Sequence, residues 1–308
     1  MKNNNVSRRR FMQQSATLLG GALLAPALLD GEMKKKNGLT CLQLYSVRDN
    51  MKEDPKGTLE KLAAMGYKNL EHAAYIIPGV YFTRKIYGYS SKDFRKLIDD
   101  LGMKMPTSHV VFGKKHWDDA KNDMDDVWKF VMEDALIMGQ THIISPWFDC
   151  DHTKLDEVKK SIETYNKVGM ICSKAGLRFG FHNHHQEFTQ MFDGNYLYDI
   201  MLDGLDLKYV CQQFDIGNLA VAKVDPMRWL KKYPKHFESM HVKDKDKMKD
   251  ESTLLGEGSI NLKEVLEFAR TKTNIKLWVL EQESYGDKTA MECVKFNLDK
   301  FKNGYKFS

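Results

Sequence analysis

Residues 155–187 read LDEVKKSIETYNKVGMICSKAGLRFGFHNHHQE. The stretch divides into three parts. Leu155–Ala175 is helix-patterned. Gly176 follows, and glycine just past a helix supplies a left-handed stop. Leu177–Asn183 is then an apolar, strand-like run. It ends in His182-Asn183-His184-His185-Gln186-Glu187, a polar cluster that a buried strand does not need, because an unpaired buried charge is costly. The same glycine-stopped helix before a strand recurs at Met65-Gly66-Tyr67 and Leu101-Gly102-Met103.

Outward from this unit the alternation continues. Strand-like runs are expected at Leu39–Val47, Tyr67–His72, Lys104–Val110, Thr141–Pro146, Leu177–Asn183, Lys208–Asp215, Phe237–Lys243 and Lys276–Glu281. Helix patterns lie between them, as at Thr58–Met65, Ser91–Leu101, Met124–Met138 and Leu262–Thr271. Eight strand–helix units without an internal break point to the α/β class and a single (β/α)8 TIM barrel over residues 39–308. An open doubly wound sheet is the competing architecture. No GxGxxG follows the first strand, so a dinucleotide-binding version of that sheet has no support.

The chain has 308 residues, a formal net charge of +5 and 42% hydrophobic residues, enough for a sizeable core. Much of the charge sits at the amino terminus, where Ser7-Arg8-Arg9-Arg10-Phe11-Met12 precedes an apolar run from Ala16 to Leu29. Ala25-Pro26-Ala27 offers small residues for cleavage. Residues 1–27 are therefore expected to be an export signal that resembles the twin-arginine type, and residues 28–38 a polar linker. Removing Lys2, Arg8, Arg9 and Arg10 lowers +5 to +1. A periplasmic, nearly neutral mature chain is expected, without a membrane span and without the basic surface of a nucleic-acid partner. Cys41, Cys150, Cys172, Cys211 and Cys293 are scattered with no CxxC pair, which excludes a zinc ribbon and gives no disulfide scaffold.

In such a barrel the chemistry sits at the carboxyl ends of the strands. The expected strand ends carry Gln43 and Tyr45, Glu71, His109, Trp147, His182 and His184, Asp215, His241 and Lys243, and Glu281. Asp215, His241 and Glu281 fall on three successive strands. Two carboxylates and an imidazole suit a divalent metal such as Mn²⁺ or Mg²⁺, with Zn²⁺, Co²⁺ or Fe²⁺ as further options. The second loop, Tyr75 to Ser91, is long and aromatic, and its Tyr87 joins Trp147 in a candidate wall for a sugar.

Leu42-Gln43-Leu44-Tyr45-Ser46-Val47-Arg48, Phe181-His182-Asn183-His184, Phe214-Asp215-Ile216-Gly217-Asn218, His241-Val242-Lys243-Asp244 and Leu280-Glu281 together resemble the xylose isomerase-like TIM-barrel superfamily. Its members include sugar phosphate isomerases/epimerases, ketose 3-epimerases, inosose dehydratase and endonuclease IV. The resemblance implies metal binding by Asp215, His241 and Glu281, with a fourth ligand from strand five. A glutamate is usual there, but this chain has His182. Glu187 is the expected fourth ligand, with His182 or His184 as alternatives. Homodimers are common among such relatives.

A metal that chelates a carbonyl and the adjacent hydroxyl acidifies the C–H between them and stabilises the enediolate. Proton return then gives a sugar isomerase or epimerase, and loss of a β-leaving group gives a lyase or dehydratase acting on a keto-sugar or 3-keto-glycoside. His184 is the expected base, with His182, His109, Lys243 and Glu281 beside it. Gln43, Tyr45, Glu71, Tyr87 and Trp147 are expected to touch substrate. A non-catalytic carbohydrate-binding barrel is the alternative from a different class.

Overall fold

A computed structural model describes residues 38–73 and 84–307. Eight parallel strands close into one barrel. They are β1 (Leu39–Gln43), β2 (Asn69–His72), β3 (Lys104–His109), β4 (His142–Ser145), β5 (Arg178–His182), β6 (Val210–Asp215), β7 (Phe237–Val242) and β8 (Leu277–Leu280). Each pairs with its neighbour in sequence, and β1 closes on β8 through Leu39 opposite Leu277. All eight expected strands are present, each shorter than its apolar run. The first stops early because the Gln43 side chain accepts the Tyr45 N–H and turns the chain into a 3₁₀ segment, Leu44–Val47.

The principal helices are α1 (Pro55–Met65), α2 (Ser91–Asp100), α3 (Asp126–Met138), α4 (Leu155–Lys174), α5 (Leu197–Gly204), α6 (Pro226–Lys232), α7 (Leu262–Lys272) and α8 (Ala290–Asp299). One follows each strand. The glycine stops are as expected, with Gly66, Gly102 and Gly176 at φ of 100°, 66° and 84°. Short helices Arg48–Glu53 and Ile216–Val221 lie in strand–helix loops. Among the described residues no helix is long and apolar enough to cross a membrane. The expected export signal and most of the linker lie outside the described residues, as do residues 74–83 of the second loop.

Strand side chains alternate between two environments. Phe179, Phe181, Phe214 and Phe237 face outward and join Trp128, Trp229 and Trp278 in the apolar layer under the helices, all fully buried. The inward set is polar. Glu71, Thr107, His109, His182, Gln213, Ser239 and His241 are linked into one hydrogen-bonded network inside the barrel through Glu71 and Gln213. The five cysteines are free, and all but Cys150 are buried.

Gly180 marks how tightly this interior is filled. A Cβ there would lie 2.6 Å from the Cys211 carbonyl oxygen and 2.9 Å from Ile144 Cδ1. Gly180→Ala is expected to cost about 1–3 kcal/mol by overpacking. Chemical denaturation checks this, and an unchanged midpoint would mean that the interior yields more easily than the contacts imply.

Candidate active site

At the carboxyl end of the barrel, Asp215 ends β6, His241 lies near the end of β7 and Glu281 follows β8. The expected triad is brought together. One donor atom from each lies within 4.8 Å of the others. His241 Nδ1 is 3.0 Å from Glu281 Oε2 and 3.8 Å from Asp215 Oδ2. Lys243 enters the same cluster, with Nζ 2.8 Å from Asp215 Oδ2, 3.0 Å from Glu281 Oε2 and 3.5 Å from Glu283 Oε1.

Asp215 Oδ1 caps the Ile216–Val221 helix by accepting the Asn218 N–H. That bond aims Oδ2 into the cluster. Oδ2 is buried and ion-paired with the Lys243 ammonium at 2.8 Å. Acid side chains outnumber cationic ones here, since Glu71, Asp215, Glu281 and Glu283 face Lys243 and the His241 ring. Two buried carboxylates beside an imidazole, with more negative than positive charge around them, are a donor set that fits a divalent cation.

Strand five decides the fourth donor. Glu187, expected to fold back toward the metal, does not do so. It sits in the 3₁₀ turn Gln186–Phe188, and its Oε2 accepts the His184 N–H at 2.9 Å. It belongs to none of the potential ligand groups among the described residues. Burial pushes its carboxyl up to about 8, so at neutral pH it is mostly a neutral acid. The nearer donor is His182, whose Nε2 lies 3.5 Å from Asp215 Oδ2.

Two expected substrate contacts are instead parts of the barrel. Glu71 is fully buried and accepts from Gln43, Thr107 and Gln213 while meeting His241 at 2.7 Å. Burial raises its carboxyl, but His109 and His241 outweigh that and hold it down to about 2. Gln43 is also fully buried, with its amide committed to Glu71 and Tyr45. Tyr87 packs its ring 5.6 Å from that of Phe94 on α2. Arg84, in the same loop, pairs with Asp134 on α3.

The remaining expectations meet at the mouth. Trp147 is 52% exposed and stacks on the His184 ring at 4.1 Å, with the ring planes nearly parallel. His184 Nδ1 is buried without a partner. Burial and the nearby Lys243 charge push the ring down to about 3, so it stays neutral across the physiological range. His182 is held well below its usual range by burial and by neighbouring imidazoles, and His109 is lowered chiefly by burial. His109 stacks on His241 at 5.0 Å. Opposing its own burial, His241 is raised to about 10 by Glu281 and Glu71. Against the effect of burial, Lys243 is raised by the charges of Asp215 and then Glu281, and Glu281 is lowered by Lys243 and then His241. Tyr45 is exposed at the rim, with the Arg48 guanidinium 4.7 Å from its ring centre.

Three participants lie outside the expected site set. Gln213 bridges His109, His182, Glu71 and Ser239. Its signal was an amide in mid-strand. Glu283 lies two residues past Glu281, and burial together with the Glu281 charge raises its carboxyl. Arg48 donates to the Tyr285 hydroxyl and the Glu283 carbonyl, tying the first loop to the last.

The model of the xylose isomerase-like TIM barrel family matches residues 59–298. A stretch of 116 residues is 30% identical to an inosose dehydratase of Clostridium perfringens, covering 37% of this chain and 37% of that protein. Two solved sugar phosphate isomerase/epimerase structures from Parabacteroides distasonis share the fold. One is 24% identical with a TM-score of 0.75, over 92% of this chain and 100% of that one. The other is 26% identical with a TM-score of 0.71, over 86% and 98%.

The Glu187 environment has a measurable consequence. Its folded-state pKa lies above the unfolded value, so the native state binds more protons between them and loses stability as pH rises toward about 8. Glu187→Gln keeps an acceptor for His184 but cannot ionise. Relative to wild type it is expected to be near neutral at acidic pH and stabilising by roughly 2–4 kcal/mol above the folded pKa. Unfolding free energies across that range check it, and equal pH dependence in the two proteins would refute the buried neutral acid.

Proposed function

The chain belongs to the xylose isomerase-like TIM barrel family, and from that premise we propose that it is a divalent-metal-dependent sugar isomerase or epimerase acting on a keto-sugar or related carbohydrate. The observation that carries this reading is the convergence of Asp215, His241 and Glu281 at the carboxyl end of the barrel. These three, with His182 as the nearest further donor, would hold the metal. When bound, the cation would polarise a substrate carbonyl and its neighbouring hydroxyl and acidify the C–H between them.

The chain's own groups supply the rest. His184 is the candidate base, a neutral imidazole with an unpartnered nitrogen; held down to about 3 it is a weak one, so the transfer would depend on the metal acidifying the C–H. Trp147 holds its ring in plane, and the exposed indole offers a flat face to the C–H surface of a sugar. The Lys243 ammonium stands ready to donate to an oxygen that gains negative charge. The proton would return to the neighbouring carbon in an isomerase, or to the opposite face in an epimerase.

Glu283 favours a second reading, β-elimination. Its carboxyl is raised, half-exposed and 3.5 Å from Lys243, as an acid that protonates a leaving oxygen would be. The inosose dehydratase name of a partial relative supports the same outcome. Both routes begin with removal of the proton beside a carbonyl. With metal added, solvent deuterium is therefore expected to enter that carbon of at least one keto-sugar in a broad panel. Glu281→Gln and His184→Gln are each expected to slow this by about 10²–10⁴-fold. No exchange with any substrate would remove both routes. Sugar binding abolished by Trp147→Ala, with no turnover by wild type, would leave a carbohydrate-binding barrel.

The amino-terminal arginines support a periplasmic location, reached by the twin-arginine route. Changing Arg8, Arg9 and Arg10 together to Lys is expected to leave an unprocessed chain in the cytoplasm of a host that otherwise exports it. Fractionation showing unchanged export would refute that route.

A further inference from the structure

The opposite, amino-terminal end of the barrel carries a second ligand cluster of different chemistry. His142 opens β4, Cys211 is the second residue of β6 and Glu238 the second residue of β7. One donor atom from each lies within 4.8 Å of the others. His142 and Cys211 are buried, and Glu238 is half-buried, so the cluster closes the barrel floor while leaving an approach from that face.

The cluster's hydrogen bonds orient its donors. The Thr141 hydroxyl lies 2.8 Å from His142 Nδ1 and 3.1 Å from the Pro106 carbonyl oxygen. His142 Nε2 faces Glu238 Oε2 at 3.4 Å, so the ring spans the hydroxyl and the carboxylate. With Nε2 deprotonated, the imidazole would turn a lone pair toward the space it shares with Glu238 and Cys211. Arg178 holds the other carboxylate oxygen, Oε1, at 2.5 Å and is itself fixed by the carbonyls of Leu207 and Lys208. Oε2 is thereby aimed at His142 and the thiol. The outer partners, Thr141 on the histidine and Arg178 on the glutamate, are those that orient ligands in metal sites. Gly180, between these strands, brings no side chain of its own into the cluster.

We infer that His142, Cys211 and Glu238 form a second metal site, for a borderline-soft transition ion such as Zn²⁺, with water completing a four-coordinate shell from the barrel floor. Imidazole, thiolate and carboxylate suit such an ion and not Mg²⁺ or Ca²⁺, which take oxygen ligands. Binding forms a metal–sulfur bond and releases the Cys211 proton to solvent. The site is independent of the mouth, where the potential ligands include no sulfur.

Cobalt tests it directly, because only a thiolate ligand gives sulfur-to-cobalt charge-transfer absorption in the near ultraviolet. Full-length protein stripped by a chelator and titrated with Co²⁺ is expected to develop this band, with the final intensity of one thiolate ligand per chain. Glu281→Gln is expected to retain it, and Cys211→Ser to lose it. Thr141→Val, which removes only the partner of His142, is expected to weaken Co²⁺ binding at this site by about 10–100-fold, the usual loss for an outer partner. Wild type without the band would overturn the proposal whether or not the variants fold. A band unchanged in Cys211→Ser would do so too.

Discussion

The Glu71 carboxylate, enclosed by the barrel, accepts from Gln43 on β1, Thr107 on β3 and Gln213 on β6, and it meets His241 on β7. With its own strand, β2, this joins five of the eight. A buried carboxylate left unpaired would cost several kcal/mol. Filling its lone pairs therefore constrains the rotamers of every neighbour. His241 is held through Nε2, which turns Nδ1 toward Glu281 and Asp215. The geometry of the mouth thus depends on a charge one layer below it.

That polar interior explains how one barrel can offer chemistry at its mouth and a second ligand set at its floor. Phenylalanine and tryptophan do the apolar packing outside the strands, beneath the helices. The lumen is released from that task, and its apolar content is small, with Cys41, Leu277 and Val279 forming a minor cluster. Histidines, acids and amides occupy the rest, each paired through a neighbouring strand. Such a network is rigid when satisfied.

The fold was legible because its signals are local. Gly66, Gly102 and Gly176 end helices through backbone freedom that needs no tertiary partner. Apolar runs closed by polar residues placed all eight strands, since a parallel barrel buries its strands on both faces. The carboxyl-end rule then placed Asp215, His241 and Glu281 together without reference to distance. The roles of Gln43 and Glu71 were not legible. A polar residue at a strand end reads the same whether it faces substrate or a neighbouring strand, and only the partners distinguish the two.

Strand five shows the division most plainly. The sequence by itself determined that a histidine, His182, ends the fifth strand, and that Glu187 is the nearest acid downstream. Only the tertiary structure decided between them. Glu187 turns back to the His184 amide in a one-turn helix, where burial keeps its carboxyl protonated, while His182 extends from the barrel wall to within 3.5 Å of Asp215. Chain order specifies which side chains are available. Which one reaches a common point depends on strand register, on the turn that follows and on the cost of burying a charge, and these are set by the closed barrel as a whole.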